Sequence, residues 1–294
     1  MRPESGAAEA PQEPGSPDRR KGSRSFRWLA KPSARVVSTL LLAIVAIIVA
    51  TPADGGTGIL AARIARVVGL ASSPTHTGKP FEGIPAVGAL FTTSQGRLGA
   101  HFCTASVVSS PHGDLLVTAA HCVTGRPGTI AFVPGYAGGK IPPYGVWYVS
   151  RVFTDQAWSN WTRQDDDVAF LQVNANDTRA PIEDVTGAED FAIELPPVEL
   201  THVIGYPNGA SKPMICQNWT KSFSPAQLEF DCGGYPNGTS GGPFLVRVDP
   251  ATGQGTVIGV IGGYEQGGDD PAVSYAAVFG RNVAALYQKA QADS

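Results

Sequence analysis

The run GYPNGTSGGPFL at 234–245 decides how the rest of the chain is read. Its four glycines and two prolines suit a tight turn between strands, since glycine reaches positive φ without a Cβ clash and proline fixes φ. The same run frames a serine, Gly238-Thr239-Ser240-Gly241-Gly242, at the tip of that turn. A serine hydroxyl attacks poorly unless a base takes its proton, and the usual base is a neutral histidine oriented by a carboxylate.

The histidines His76, His101, His112, His121 and His202 all precede Ser240. That order excludes the G-x-S-x-G nucleophile elbow of α/β-hydrolases, where the histidine follows the serine. An Asp-His-Ser order is no better served. Asp54 lies beside an apolar leader, and Asp114 lies in a turn only seven residues before His121. His121 is expected to end a strand in LLVTAAHC (115–122), with small Ala119 and Ala120 leaving room beside its ring. Asp167 opens DVAFLQV (167–173) after two further acids.

Composition narrows the architecture. Of 294 residues, 35 are glycine, 24 proline and 43% hydrophobic, a mixture that suits strands and turns rather than long helices. Short apolar runs rich in Val, Leu, Phe and Thr predict strands at 86–93, 100–110, 114–122, 146–153, 167–173, 201–207, 228–232, 243–248, 256–264 and 274–280. Only 281–291 reads as a helix, with Val283, Leu286 and Tyr287 on one face.

The N-terminus differs from the rest. Residues 1–35 carry eight bases and four acids of the chain's 22 and 25, leaving 14 bases and 21 acids beyond. A remainder of net charge −7 speaks against nucleic acid or anionic lipid as the partner of the folded part. Residues 1–35 are expected to be disordered. The run VVSTLLLAIVAIIVA (36–50), basic before it and followed by Thr51-Pro52-Ala53, reads as an export signal ending by 53 or as a signal anchor that leaves the protein on the outer face of the membrane. Residues 54–80 follow as a linker or short propeptide, and 81–294 as the folded domain.

Cys103, Cys122, Cys216 and Cys232 all lie beyond this leader, without the C-x-x-C spacing of zinc or redox sites, and suggest two disulfides in an exported protein. Spacing allows three connectivities. Sequential pairing, Cys103–Cys122 and Cys216–Cys232, closes two short loops, each stabilising by roughly 3 kcal/mol. No HExxH, P-loop or dinucleotide fingerprint is present, so neither metal nor cofactor is expected. The sequons at Asn160, Asn176, Asn218 and Asn237 are read as compositional.

TAAHC (118–122), DVAFL (167–171) and GTSGGP (238–243), in that order, resemble the three signatures of chymotrypsin-like serine peptidases. The GALF…HFCTASVV…LLVTAAHC and VIGYP…SGGPFL segments are similar to the bacterial V8-type branch, and the resemblance covers roughly 82–285. It implies an all-β fold of two antiparallel six-stranded barrels with a C-terminal helix, monomeric, with His121, Asp167 and Ser240 as catalytic triad in the cleft. It also implies an oxyanion hole from the N–H groups of Gly238 and Ser240, and protein or peptide substrates. A catalytically dead relative serving as a binding module or scaffold is the alternative.

Two features depart from the family. Thr239 stands where many relatives carry the aspartate that receives a new N-terminal ammonium, so Arg66-Val67-Val68-Gly69 reads as the start of a strand before it reads as an activation site. The S1 pocket is expected from Gly234, Ile261, Gly262, Gly263 and Tyr264. Gly234 supplies no acid and Ile261 replaces a glutamate-binding histidine, which favours a small or apolar P1, while Asp269 and Asp270 leave a basic preference open.

Overall fold

The computed structural model describes residues 76–123, 127–140, 143–174 and 180–293. The leader, its apolar run and the Arg66 segment lie outside the described residues, and no helix among the described ones is long and apolar enough to cross a membrane. Domain structure begins before residue 81: Thr77 bridges to Gly233, and β1 (Lys79–Pro80) pairs with a strand of the second half.

The first half is a closed antiparallel barrel. It comprises β2 (Val87–Ser94), β3 (Arg97–Val108), β4 (Leu115–Thr118), β5 (Ile130–Pro134), β6 (Trp147–Thr154) and β7 (Ala169–Val173), in the order β2-β3-β4-β7-β6-β5. Closure leaves no unpaired edge, and side chains pointing inward from every strand fill the interior. Leu90, Val107, Leu116, Phe132, Trp147 and Leu171 are all fully buried there. Each such side chain stabilises the fold by about 1.5–3 kcal/mol relative to exposure, so the barrel is a rigid platform for whatever its loops carry.

The second half contains β8 (Asp190–Phe191), β9 (Leu200–Gly205), β10 (Met214–Ser224), β11 (Gln227–Asp231), β12 (Pro243–Val246), β13 (Thr256–Val260) and β14 (Val273–Ala277). Its path is β14-β11-β10-β9-β12-β13-β8, with β1 on β10. Six long strands give the second barrel of the two-barrel architecture. It differs from the expected one in that its ladder does not close and β8 adds a parallel pairing to β13. The β13 and β14 edges meet instead just past β13, where the Gly262 N–H donates to Tyr275 O at 3.0 Å. Gly259 permits this approach, since a Cβ there would stand 3.0 Å from Ala276 Cβ.

Three helices are described. Besides the foreseen C-terminal helix there are α1 (Gln156–Trp161) and α2 (Ile182–Thr186), each too short for a 3.6-residue pattern to show. Asp155 caps α1 by accepting the Ala157 N–H at 2.6 Å. The C-terminal helix, α3 (Arg281–Ala292), buries Val283, Leu286 and Ala290 and packs on β6 and β7. Tyr287, expected on the same face, is half-buried and stacks on Phe191 with ring centroids 4.3 Å apart. At its first turn Asn282 Nδ2 donates to Asp166 Oδ1 at 2.6 Å, tying the helix to the acidic segment before β7.

Candidate active site

Two adjacent residues of β3 hold the two halves of the site. Cys103 is disulfide-bonded to Cys122, the neighbour of His121, and Thr104 N–H donates to Ser240 O at 2.7 Å. His121 does not end a strand: β4 stops at Thr118 and the chain turns into the 3₁₀ segment Ala120–Val123, pinned by that disulfide. The second disulfide, Cys216–Cys232, links β10 to the end of β11. Although Cys103, Cys122 and His121 cluster as a metal site would, the sulfurs are joined to each other and offer no thiolate.

Asp167 also sits outside its expected strand, after a 3₁₀ turn (Gln164–Asp166) and two residues before β7. It is completely buried. Its Oδ2 lies 2.7 Å from His121 Nδ1 and accepts the Gly263 N–H at 2.9 Å, while Oδ1 accepts the His121 N–H at 2.9 Å. Three donors therefore satisfy one buried carboxylate, fixing the imidazole with Nδ1 as donor and Nε2 as acceptor. Gly262 makes the close approach feasible, because a Cβ there would stand 3.0 Å from Asp167 Oδ2. Burial lowers the pKa values of His101 and His202, and His101 Nε2 lies 3.1 Å from Ala210 O.

The serine loop is clamped from behind. A Cβ on Gly241, at φ +79°, would stand 2.1 Å from Thr118 Oγ1 and 2.2 Å from Thr104 O, so only glycine lets the loop seat beside the segment leading to His121. Asn237 O accepts the Asn208 N–H at 2.8 Å and Thr239 O accepts the Gly242 N–H at 2.9 Å. In trans peptides each C=O points opposite to the following N–H. Those two bonds therefore turn the Gly238 and Ser240 N–H groups to the other side, and neither donates to a protein acceptor among the described residues. The buried Thr104 hydroxyl fixes the loop further, donating to Gly238 O at 3.1 Å and accepting the Tyr206 N–H at 2.9 Å. Ser240 Oγ and His121 Nε2 carry no hydrogen bond, to each other or to another group, among the described residues.

A chain match covers this whole arrangement: the trypsin family model aligns with residues 76–280. The chain belongs to the trypsin family. Solved trypsin-fold proteins align over most of it, including the protease Anisep from Arthrobacter nicotinovorans at 22% identity and TM-score 0.62, covering 74% of this chain and all of that one. The thermostable serine protease AL20 from an extremophilic microorganism aligns at 22% identity and TM-score 0.60 over 71% of this chain and 98% of its own. A Glu endopeptidase solved with MPD aligns at 14% identity and TM-score 0.56, over 74% and 98%. No curated protein matches. At these identities the neighbours establish the shared fold, and membership of the trypsin family makes the protein a trypsin-like serine peptidase.

Beside Ser240 opens a cavity of about 510 Å³. Of the five expected S1 residues only Ile261 lines it. Gly234 turns toward Met214 and Gly78, and Gly262 backs onto Asp167. Gly263 faces Gln227, and Tyr264 packs tilted against Phe223 and edge-on against Tyr275, with ring centroids 4.8 and 5.1 Å away. The outer wall comes instead from the loop just beyond, at 265–269. Sequence reading also missed buried Gln227, whose Oε1 accepts the Tyr264 N–H at 3.1 Å and whose Nε2 donates to Asp165 Oδ1 at 2.7 Å. It joins the segment that borders the cavity to the segment that carries Asp167. Its only sequence signal was a polar residue at the start of a strand.

Proposed function

We propose that the chain is an exported serine endopeptidase. Ser240 Oγ attacks the peptide carbonyl while His121 Nε2 takes its proton, giving a tetrahedral oxyanion bound by the Gly238 and Ser240 N–H groups. His121 then returns the proton to the leaving amine, the acyl-enzyme forms, and water repeats the sequence to release the acid. Asp167 holds the tautomer and stabilises the imidazolium. The observation that carries this reading is the Asp167 carboxylate, wholly buried 2.7 Å from His121 Nδ1. A pure binding module has no use for that expense of desolvation. Two disulfides support export, since they persist in oxidising compartments. The buried Thr239 side chain donates to Pro236 O at 2.8 Å and offers no carboxylate to an inserted ammonium, so activity is expected without cleavage after Arg66.

The test is hydrolysis of casein by the secreted protein, with internal fragments mapped by mass spectrometry. Ser240→Ala is expected to lower kcat about 10⁶-fold, leaving about 10³-fold over water. A variant within tenfold of the parent would overturn the assignment.

A further inference from the structure

Gln227 opens β11, and like the apolar Leu228 beside it, it is buried. Its backbone is fixed on both sides, in register with Ser224 of β10 and Ala277 of β14. A buried amide needs partners for donor and acceptor alike, and both partners here belong to the two segments that meet on Asp167. Nε2 donates to Asp165 Oδ1 at 2.7 Å, two residues before the carboxylate that faces His121. Oε1 accepts the Tyr264 N–H at 3.1 Å, while the preceding N–H, that of Gly263, donates to Asp167 Oδ2 at 2.9 Å. Consecutive N–H groups of one short segment therefore go to the glutamine and to the aspartate.

That segment lies beyond β13, which ends at Val260, and before the left-handed pair Glu265 and Gln266, at φ 50° and 54°. Its two glycines have the most freedom to rotate. Gly262 is fixed by its N–H on Tyr275 O at 3.0 Å; past it, the backbone is held by a turn bond from the Gln266 N–H to Gly263 O at 2.9 Å and by the two N–H groups above. A Cβ on Gly263, at φ +77°, would stand 2.3 Å from Gln227 Oε1, so the glycine admits the amide and the amide restrains the glycine. The Tyr264 ring packs on Phe223 and Tyr275, which fixes the ring rather than the peptide plane. We infer that Gln227 is a positioning residue for the reaction: it holds Gly263 against Asp167 and so fixes the carboxylate that orients His121. This rests on the reading of His121 and Asp167 as base and orienting acid. The neutral amide suits both tasks. An ionised glutamate cannot donate to Asp165, lysine and arginine cannot accept the Tyr264 N–H, and an apolar side chain leaves both partners without their bond.

The experiment exchanges donor and acceptor. In the double variant Gln227→Glu/Asp165→Asn the new carboxylate at 227 accepts from the Tyr264 N–H and from the new amide at 165, so both bonds and the net charge are kept. Full-chain parent, Gln227→Met, Gln227→Glu, Asp165→Asn and the double variant are compared in kcat and KM on a peptide amide. Proton NMR of the His121 Nδ1–H, shifted far downfield by its short bond to Asp167, reports the pair without turnover. Gln227→Met, similar in length but without polar atoms on its side chain to bond, is expected to lower kcat about 10- to 100-fold with KM within about threefold. Gln227→Glu should fall at least as far, because two carboxylates then face each other. Asp165→Asn, which still offers an acceptor, should stay within about fivefold, and the double variant should return to within about fivefold of the parent. The resonance is expected to move in both Gln227 single variants and to return in the double. Parental kcat in Gln227→Met overturns the inference, as does a kcat loss with an unmoved resonance or one that the double variant does not recover. Should Gln227→Met not fold, a folded double variant lacking the parental resonance overturns it. A protein that hydrolyses nothing, yet whose resonance moves in Gln227→Met and returns in the double, supports the role of Gln227 and overturns the peptidase reading instead.

Discussion

Replacing Asp167 by asparagine changes one atom and breaks the site in a calculable way. Both carboxylate oxygens face donors: Oδ2 accepts from His121 Nδ1 and the Gly263 N–H, and Oδ1 accepts the His121 N–H. An amide has only one acceptor. With its oxygen at the Oδ2 place, the NH₂ group opposes the His121 N–H; with the amide reversed, it opposes the Gly263 N–H and forces His121 into the tautomer that cannot take a proton at Nε2. Either way one buried donor is left unpaired, which costs about 1–3 kcal/mol. For a domain of this size about 2 kcal/mol lowers Tm by roughly 4–8 °C. The charge that stabilises the imidazolium is lost in both orientations, so kcat is expected to fall about 10⁴-fold at neutral pH. The assays are thermal unfolding by circular dichroism and hydrolysis of a peptide amide. Asp166→Asn, which keeps an acceptor for Asn282, serves as the comparison and should stay within about tenfold in kcat. An Asp167→Asn protein with unchanged Tm and near-parental kcat would refute the reasoning.

Thr104→Val removes the hydroxyl that joins Gly238 O to the Tyr206 N–H across buried space, so kcat should fall while KM for the same peptide stays within about threefold. Glu189 is wholly buried with Oε1 unpartnered, and burial raises its carboxyl from 4.5 to about 8. The folded state therefore binds a proton that the unfolded state has already released. Stability from this group is full below the unfolded value and drains away as pH rises from 4.5 through about 8. Glu189→Gln should flatten that slope, raising Tm relative to the parent at about pH 8.5 but not at about pH 4. Cys103→Ala/Cys122→Ala, which opens a loop with a sequence separation of 19, should cost about 3 kcal/mol and release the His121 segment, measured by urea unfolding of the double variant and the parent.

What the sequence disclosed is what local chemistry encodes. Ser240 sits among glycines that its turn demands, His121 follows two alanines and precedes an anchoring cysteine, and Asp167 opens the apolar run DVAFLQV. Their strand contexts were misplaced, because Ala120–Val123 and Gln164–Asp166 tighten into 3₁₀ turns that apolar periodicity does not distinguish from strand ends. β5 was passed over although its run IAFVP is apolar, and the polar β10, with only two buried residues, lacks the apolar run that marks its neighbours. The supporting groups were invisible for a different reason. Thr104 meets Gly238 across 134 residues and Gln227 meets Asp165 across 62, and nothing local to either position records the partner. The pocket wall was misjudged because the glycines at 262 and 263 turn their backs to Asp167 and Gln227, passing the lining role to the next loop.

The most direct measurement is labelling of the secreted protein with a fluorophosphonate, followed by peptide mass mapping. A single label on Ser240 that disappears in His121→Ala is the predicted result, since only a hydroxyl activated by that imidazole reacts. Folded protein that takes no label, or that is labelled equally well without His121, would contradict the catalytic account.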